Sequence, residues 1–596
     1  MIPSPTASLA PTIRYCLRRS WVTLTLLISA CAMAWLGQGM LAQQPQQRRI
    51  IPRRPFRNGP LGRPEAPSNK PGEKRTEDPN EKPSEADDPK MAEENSEKDE
   101  KEGKKGPGNS LSIVESPADE KSTKVPTKDH EREALFVGWE NPKIVFLLSG
   151  NQMGYIEPCG CAGLENQKGG LTRRITLLKE LRDEKGWTVV PLDVGQNASE
   201  SRSDRQQELK LQMTGSGFSK MGYQAVGIGP SDLGLSTSEL AGIVANFPVV
   251  SANVSVFERA TGLVPAYRII EVGGMKIGVT QVVSDAAQKN ILAADIEKQS
   301  VAKALPSVIE KLKAEKCDYT ILMAFALDNE AEALAKKYPS FDLVVHGELH
   351  GDPQREITKL STKPSAKANY VAGVGYKGMH VTVVGLFDDV KNPVRYQRVP
   401  LDARFADSKE GLQLLADYQR ELKSAGLEGL GIQPKAYPGG REFVGSKACG
   451  DCHTKAYEKW LTTPHAHATE TIVNPKERAG IARHHDPECL SCHVTGWNPQ
   501  QYYPYTSGYT DLKKSAHLHA NGCENCHGPG SKHVEAESAG TAKPADIAKL
   551  RESMRLPLAN AKKKCQECHD LDNSPEFSNE GAFERYWEEV KHPWRD

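Results

Sequence analysis

One five-residue pattern, present four times, constrains this chain more than anything else in it. "CGDCH" (Cys449, Cys452, His453), "CLSCH" (Cys489, Cys492, His493), "CENCH" (Cys523, Cys526, His527) and "CQECH" (Cys565, Cys568, His569) all read Cys-x-x-Cys-His. Two thiols three positions apart suit addition to the two vinyl groups of a c-type haem. The histidine that follows falls under the iron as its proximal ligand. Structural zinc uses Cys-x-x-Cys half-sites too, but it needs no histidine directly after every second cysteine. The expectation is four covalently attached haem c groups. They supply much of the core of a region that is poor in long apolar runs, and without them that region should not fold well.

Composition agrees. Twelve of the 16 histidines and eight of the 13 cysteines lie from Cys449 onward. The sixth iron ligands are narrowed by what is available. Met554 is the only methionine after residue 440, whereas His465, His467, His484, His485, His517, His519, His533 and His592 stand outside the motifs. Mostly bis-histidine, low-potential haems follow. Short helices are expected, such as Lys455 to Leu461, with Tyr457, Trp460 and Leu461 on one side and a stop before Pro464.

The N-terminus reads as an export signal. Arg14, Arg18 and Arg19 precede the uncharged, mostly apolar Trp21 to Leu36, and Ala30-Cys31-Ala32 offers a small-x-small cleavage site. Ile28-Ser29-Ala30-Cys31 also resembles a lipoprotein box that would acylate Cys31. An uncleaved anchor is the third reading. All three put the rest of the chain in the periplasm or otherwise outside the cytoplasm, where c-type haem is attached in bacteria. Residues 43 to 135 are Pro-rich and then Lys/Glu/Asp-rich, with almost nothing to bury, and read as a disordered tether whose reach is roughly 50 Å. The formal net charge of zero argues against a general nucleic-acid binder.

Here the residues carry a resemblance. "VGSKACGDCHTKAYEKWLTTPHAHA", "CLSCHVTGW", "NGCENCHGPGSKH" and "YWEEVKHPW", spanning about Phe443 to Trp594, are similar to the tetrahaem cytochrome c-554 family. The resemblance implies electron transfer. It implies distal iron ligands at His465, His533 and His592, and in that family the fourth iron can be five-coordinate. His485 and His519 remain further distal candidates, as do His484 and His517.

Between residues 136 and 434, strand-like runs ("KIVFLLSG", "WTVVPLDVG", "YQAVGIG", "FPVVSANV", "YTILMAF", "FDLVVHG") alternate with helical patterns, one of them marked by Leu171, Ile175, Leu178 and Leu181. "YRIIEVGGMKIGVTQVV" reads as a Gly-Gly hairpin. The expected fold class is a multidomain chain. A layered α/β domain is followed at residues 441–596 by a mainly α-helical multihaem domain, with a signal or anchor at 1–42. "GGLTRR", "LDVG", "MGYQAVGIG", "SANV" and "DLVVHGELH" resemble the calcineurin-like metallophosphoesterases of the 5′-nucleotidase branch, which hold two metal ions. At the positions where that resemblance implies ligands, the chain carries Asn151, Met153, Gln196, Pro230, Ser231, Ala324 and Glu348, and keeps His350. Such a donor set predicts no ordinary phosphoesterase activity.

Two readings stand for what is left. His346, Glu348 and His350, with Cys159 and Cys161 of "EPCGC", either make one repurposed site for an additional metal ion or line a cleft kept only as scaffold. The two cysteines lack a following histidine, so they are no fifth haem site. They are a dithiol switch, a thiolate ligand pair, or idle residues of a tight turn. The leading functional expectation is an exported multihaem electron carrier. It would exchange electrons with redox partner proteins near a membrane, with the middle domain as a docking or ligand-binding module. The alternative is an oxidoreductase with one open haem iron acting on a small nitrogen or sulfur compound.

Overall fold

The structure, a computed structural model, describes residues 134–158, 167–199, 203–348, 350–360 and 369–593. The segment read as an export signal, with Cys31, the charged segment up to residue 133, and the pair Cys159 and Cys161 lie outside the described residues.

The middle of the chain builds two mixed sheets, stacked face to face. The first runs, from edge to edge, Val394–Pro400, His380–Leu386, Ile144–Ser149, Val189–Asp193 and Ala225–Val226. The second runs Thr358–Lys359, Tyr370–Gly373, Leu343–His346, Tyr319–Phe325, Met275–Val283 and Arg268–Val272. Successive side chains of a strand point to opposite faces, and this sorts the layers. Ile144, Phe146 and Leu148 face the other sheet and meet Ile277, Val279, Ile321 and Met323. Val145 and Leu147 face outward, onto Leu171, Ile175 and Leu178 of the helix Leu171–Lys179. On the far side, Val301, Leu305, Val308 and Leu312 of the helix Val301–Ala314 cover Leu322 and Val344. The order is helix, sheet, sheet, helix. Strands buried on both faces read as unbroken apolar runs such as "IVFLL". The sequence therefore points to a layered α/β fold, while the doubling of the sheet emerges from the packing.

The expected hairpin is present. Arg268–Val272 and Met275–Val283 pair antiparallel with Val272 opposite Met275. Gly273 and Gly274, at φ 58° and 74°, make the two-residue turn, which needs positive φ at both positions. The parallel pair Ile144–Ser149 and Val189–Asp193 ends with Ser149 beside Asp193. Loops leaving that end carry Asn151, Met153 and Gln196.

After the helix Lys409–Gly429 the chain changes character. It forms short helices and one two-stranded ribbon, Trp497–Asn498 with Tyr503–Pro504. The predicted helix is there as Thr454–Leu461, with Tyr457 and Trp460 rings 5.5 Å apart. The apolar cluster of this region is small: Phe443, Ile472, Leu490, Val494, Trp497, Tyr509 and Leu518. No described helix is long and apolar enough to cross a membrane.

Candidate haem centres

Each motif is held by a turn of helix. His453 N–H donates to Cys449 O at 2.9 Å, and His569 N–H to Cys565 O at 2.8 Å. Helical spacing of three and four places both thiols and the histidine on one side of the turn. Cys489 to His493 lie in the helix Pro487–His493, which Pro487 opens at its first position and Asp486 caps by accepting from Glu488 N at 3.0 Å. Cys523–His527 is itself a short helix.

The histidines meet in pairs. Ring centres lie 6.4 Å apart for His453 and His533, 6.0 Å for His465 and His569, and 5.8 Å for His527 and His592. Metal–imidazole bonds of about 2 Å, plus roughly 1 Å from the nitrogen to the ring centre, put two axial rings about 6 Å apart across one metal. The spacing of all three pairs fits an iron between them. Each pair joins a motif histidine to one of His465, His533 and His592.

The other distal candidates are placed differently. His485 stands against His484 with ring centres 4.1 Å apart, too close for an intervening iron, because the two are consecutive in the turn before the Asp486 cap. His519 Nε2 bonds to Leu512 O at 2.9 Å, and its ring faces Tyr509. Among the described residues, neither pairs in a ring contact with a motif histidine. His493 Nδ1 is bonded to Ala468 O at 2.8 Å.

Hydrogen bonds leave the ligating nitrogen available. His527 Nδ1–H donates to Met554 O at 2.7 Å, as His493 does to Ala468, and His569 Nδ1 is 2.9 Å from Ser574 Oγ. With Nδ1 engaged, Nε2 is the nitrogen suited to ligate. Burial also keeps these rings neutral, which is the ligating form. Burial first, then His569 and His493, push His465 down to about 4. Burial pushes His493, His527, His533 and His569 down as well.

Thiols of different motifs adjoin. A hydrogen bond to Cys449 pulls Cys523 down to about 7, and the same contact pushes Cys449 up. Contact with Cys492 pushes Cys568 up. A cleft partly open to solvent is lined by His465, Trp497, Cys526, Cys565, Cys568 and His569. The donor set, the ring spacing and this cleft all suit covalently held haem.

The sandwich shows the opposite. Asp193 is buried, and its carboxylate accepts from Ser149 Oγ (2.6 Å), Asn197 Nδ2 (2.9 Å) and Gly195 N (2.9 Å). Gln196 donates from Nε2 to Ser231 Oγ at 2.6 Å and accepts from Ser231 N at 3.0 Å, so the two side chains close on each other. Met153 and Gln196 keep left-handed backbone, φ 53° and 64°, which costs about 1 kcal/mol each without glycine.

His346, Glu348 and His350 lie at and just beyond the end of a strand. The strand ends at His346, so alternation stops there. His346 is buried with Nε2 3.2 Å from Asp328 Oδ1, whereas His350 is exposed. Among the described residues, no group of three His, Cys, Asp or Glu side chains is placed to hold a metal ion.

Residues 448–528 match the family model described as cytochrome c554 and c-prime. Cytochrome c-554 of Nitrosomonas europaea is 31% identical over 152 residues, covering 22% of this chain and 60% of that protein. The motif-bearing region is similar to cytochrome c-554. That likeness supports a c-type cytochrome with more than one haem, although the chain spans only about three fifths of this relative's length. Solved structures similar to this chain include a 5′-nucleotidase precursor from Thermus thermophilus, with TM-score 0.42, 16% identity, and 56% of this chain and 68% of that chain covered. They also include the calcineurin-like phosphoesterase YfkN from Bacillus subtilis, with TM-score 0.38, 16% identity, and 47% of this chain and 97% of that chain covered. Neither carries an activity over to this chain.

Motif reading missed the residues that fasten the haem region to the sandwich. Arg478, buried, reaches Glu157 and Asp407 at 3.3 Å each and donates to Pro158 O at 2.8 Å. Asp572, three residues after His569, pairs with Lys377 and accepts from Tyr155 Oη. Lys210 pairs with Glu488, while Asp486 accepts from Gln206 (3.2 Å) and Gln419 (3.0 Å). An isolated Arg or Asp in a polar stretch gives no local signal of a partner hundreds of residues away.

Proposed function

We propose that this chain is an exported multihaem electron-transfer protein. It would carry four haem c groups, bound through Cys449 and Cys452, Cys489 and Cys492, Cys523 and Cys526, and Cys565 and Cys568. The observation that carries this reading is the set of three histidine pairs spaced about 6 Å apart, each containing a motif histidine.

Haem iron supplies a one-electron couple when bound. The residues around it set its properties. His453, His493, His527 and His569 act as proximal ligands, and His533, His592 and His465 complete the coordination at the first, third and fourth motifs. Two imidazoles per iron favour low potentials.

The sandwich acts as a rigid support and docking body, since its former metal positions are filled by bonds among its own side chains. Export to the periplasm and a soluble or membrane-held redox partner complete the reading. A haem count on purified protein, followed by a redox titration monitored by EPR, tests it. Four haems per chain, mostly low-spin and of low potential, are expected. A chain without redox-active haem overturns it.

A further inference from the structure

Glu524 occupies one of the two free positions inside the third motif, where any residue satisfies Cys-x-x-Cys-His. Its side chain is nevertheless inside the protein, only 2% exposed. The carboxylate accepts backbone N–H groups from two segments, one about 80 residues upstream and one six residues downstream. Oε2 takes Gly445 N at 2.7 Å, Oε1 takes Gly530 N at 2.8 Å, and Val444 N is shared between them at 3.0 and 3.1 Å.

Those donors are the entry points of two helices. Gly445 caps the helix Ser446–Gly450, which presents Cys449 and leads to His453. Gly530 caps the helix Ser531–Ala539, which carries His533. Ser531 N–H donating to Glu442 O at 3.1 Å, and Glu442 N–H donating to Ser531 Oγ at 2.9 Å, run alongside. A single buried acceptor therefore fixes where both helices start, and His453 and His533 face each other at 6.4 Å.

We propose that Glu524 is a positioning residue for the axial pair His453–His533, so that a side chain of the third motif sets iron coordination at the first. This rests on reading His533 as a distal ligand. A short, charged acceptor suits the task, because one carboxylate offers enough lone pairs for three donors at fixed angles. Glutamine keeps the size but turns one acceptor into an N–H₂ group that faces a backbone N–H, so the two helix starts can no longer be held together.

Glu524→Gln and His533→Ala should be made in the full chain and purified with haem attached. Ferric EPR and carbon monoxide uptake by the reduced protein are then read against the unchanged protein. Glu524→Gln is expected to keep the same haem count, to gain about one high-spin iron per chain, and to regain the original spectrum on addition of imidazole. The proposal is overturned if His533→Ala gains such an iron and Glu524→Gln does not, even where Glu524→Gln is less stable. If neither gains one, the reading of His533 has failed, and the proposal fails with it for that separate reason. Should Glu524→Gln not accumulate, Glu524→Asp, which keeps the charge and shortens the reach, takes its place with the same outcomes.

Discussion

Arg478 and Glu157 form an ion pair at 3.3 Å whose side chains are 1% and 3% exposed, joining the haem-bearing region to the loop that leaves the first strand of the sandwich. Burial pushes the Glu157 carboxyl up, while Arg478 and the Thr172 hydrogen bonds pull it back. A buried pair gives little net stability, but deleting one member strands the other. Arg478→Ala is expected to cost about 3–5 kcal/mol, read as a lowered denaturant midpoint. A change below about 1 kcal/mol would show that this contact does not hold the two parts together.

Asp486 gives the chain a pH dependence of known sign. Burial, reinforced by Glu488 and opposed by Lys210, raises it to about 6, against about 3.9 unfolded. Between those values the folded protein holds a proton that the unfolded chain has lost. The contribution is fully present below about pH 4 and is lost as pH rises through about 6, by at most ~1.4 kcal/mol per pH unit. Asp232, raised to about 6 by burial, adds in the same direction. Denaturation series from pH 4 to 7 should show Asp486→Asn losing stability less steeply than the unchanged protein. Parallel curves would refute this.

The distal histidines can be removed singly. His465→Ala, His533→Ala and His592→Ala are each expected to convert one low-spin iron per chain to a high-spin, ligand-accessible one and to raise its potential, as loss of an imidazole donor weakens the ferric state. His485→Ala and His519→Ala should leave the spin count unchanged, given their contacts with His484 and Leu512. EPR spin counting distinguishes the two classes.

Haem attachment should follow the motifs one for one. Replacing both cysteines of one motif with serine is expected to lower the pyridine haemochrome count from four per chain to three. A count of four in the unchanged protein is the reference on which this depends.

The sandwich is expected to release no phosphate from nucleotides after loading with manganese. Gln196 and Ser231 hold each other, and Asp193 is occupied by three donors. Phosphate release that disappears in His350→Ala would contradict this.

Much of this protein was legible in its sequence. Covalent haem chemistry depends on local spacing, so Cys-x-x-Cys-His proposes thioether and proximal positions from five residues at a time. The strands and helices of the sandwich and the Gly273-Gly274 turn are equally local, because periodicity and side-chain type survive in one dimension. Pairing is not local. His453 and His533 meet across 80 positions, His465 and His569 across more than a hundred. His485 and His519 carry the same side chain, but adjacent packing and a carbonyl acceptor claim them. The strand that carries His346 ends there, a boundary that the alternation of His346, Glu348 and His350 in the sequence does not mark. Glu524, Asp572 and Arg478 owe their roles to burial and to partners from distant segments. Side-chain chemistry was thus fixed by the sequence itself, while the choice of which equivalent side chains meet was made by packing, where burial and hydrogen-bond saturation depend on the whole fold.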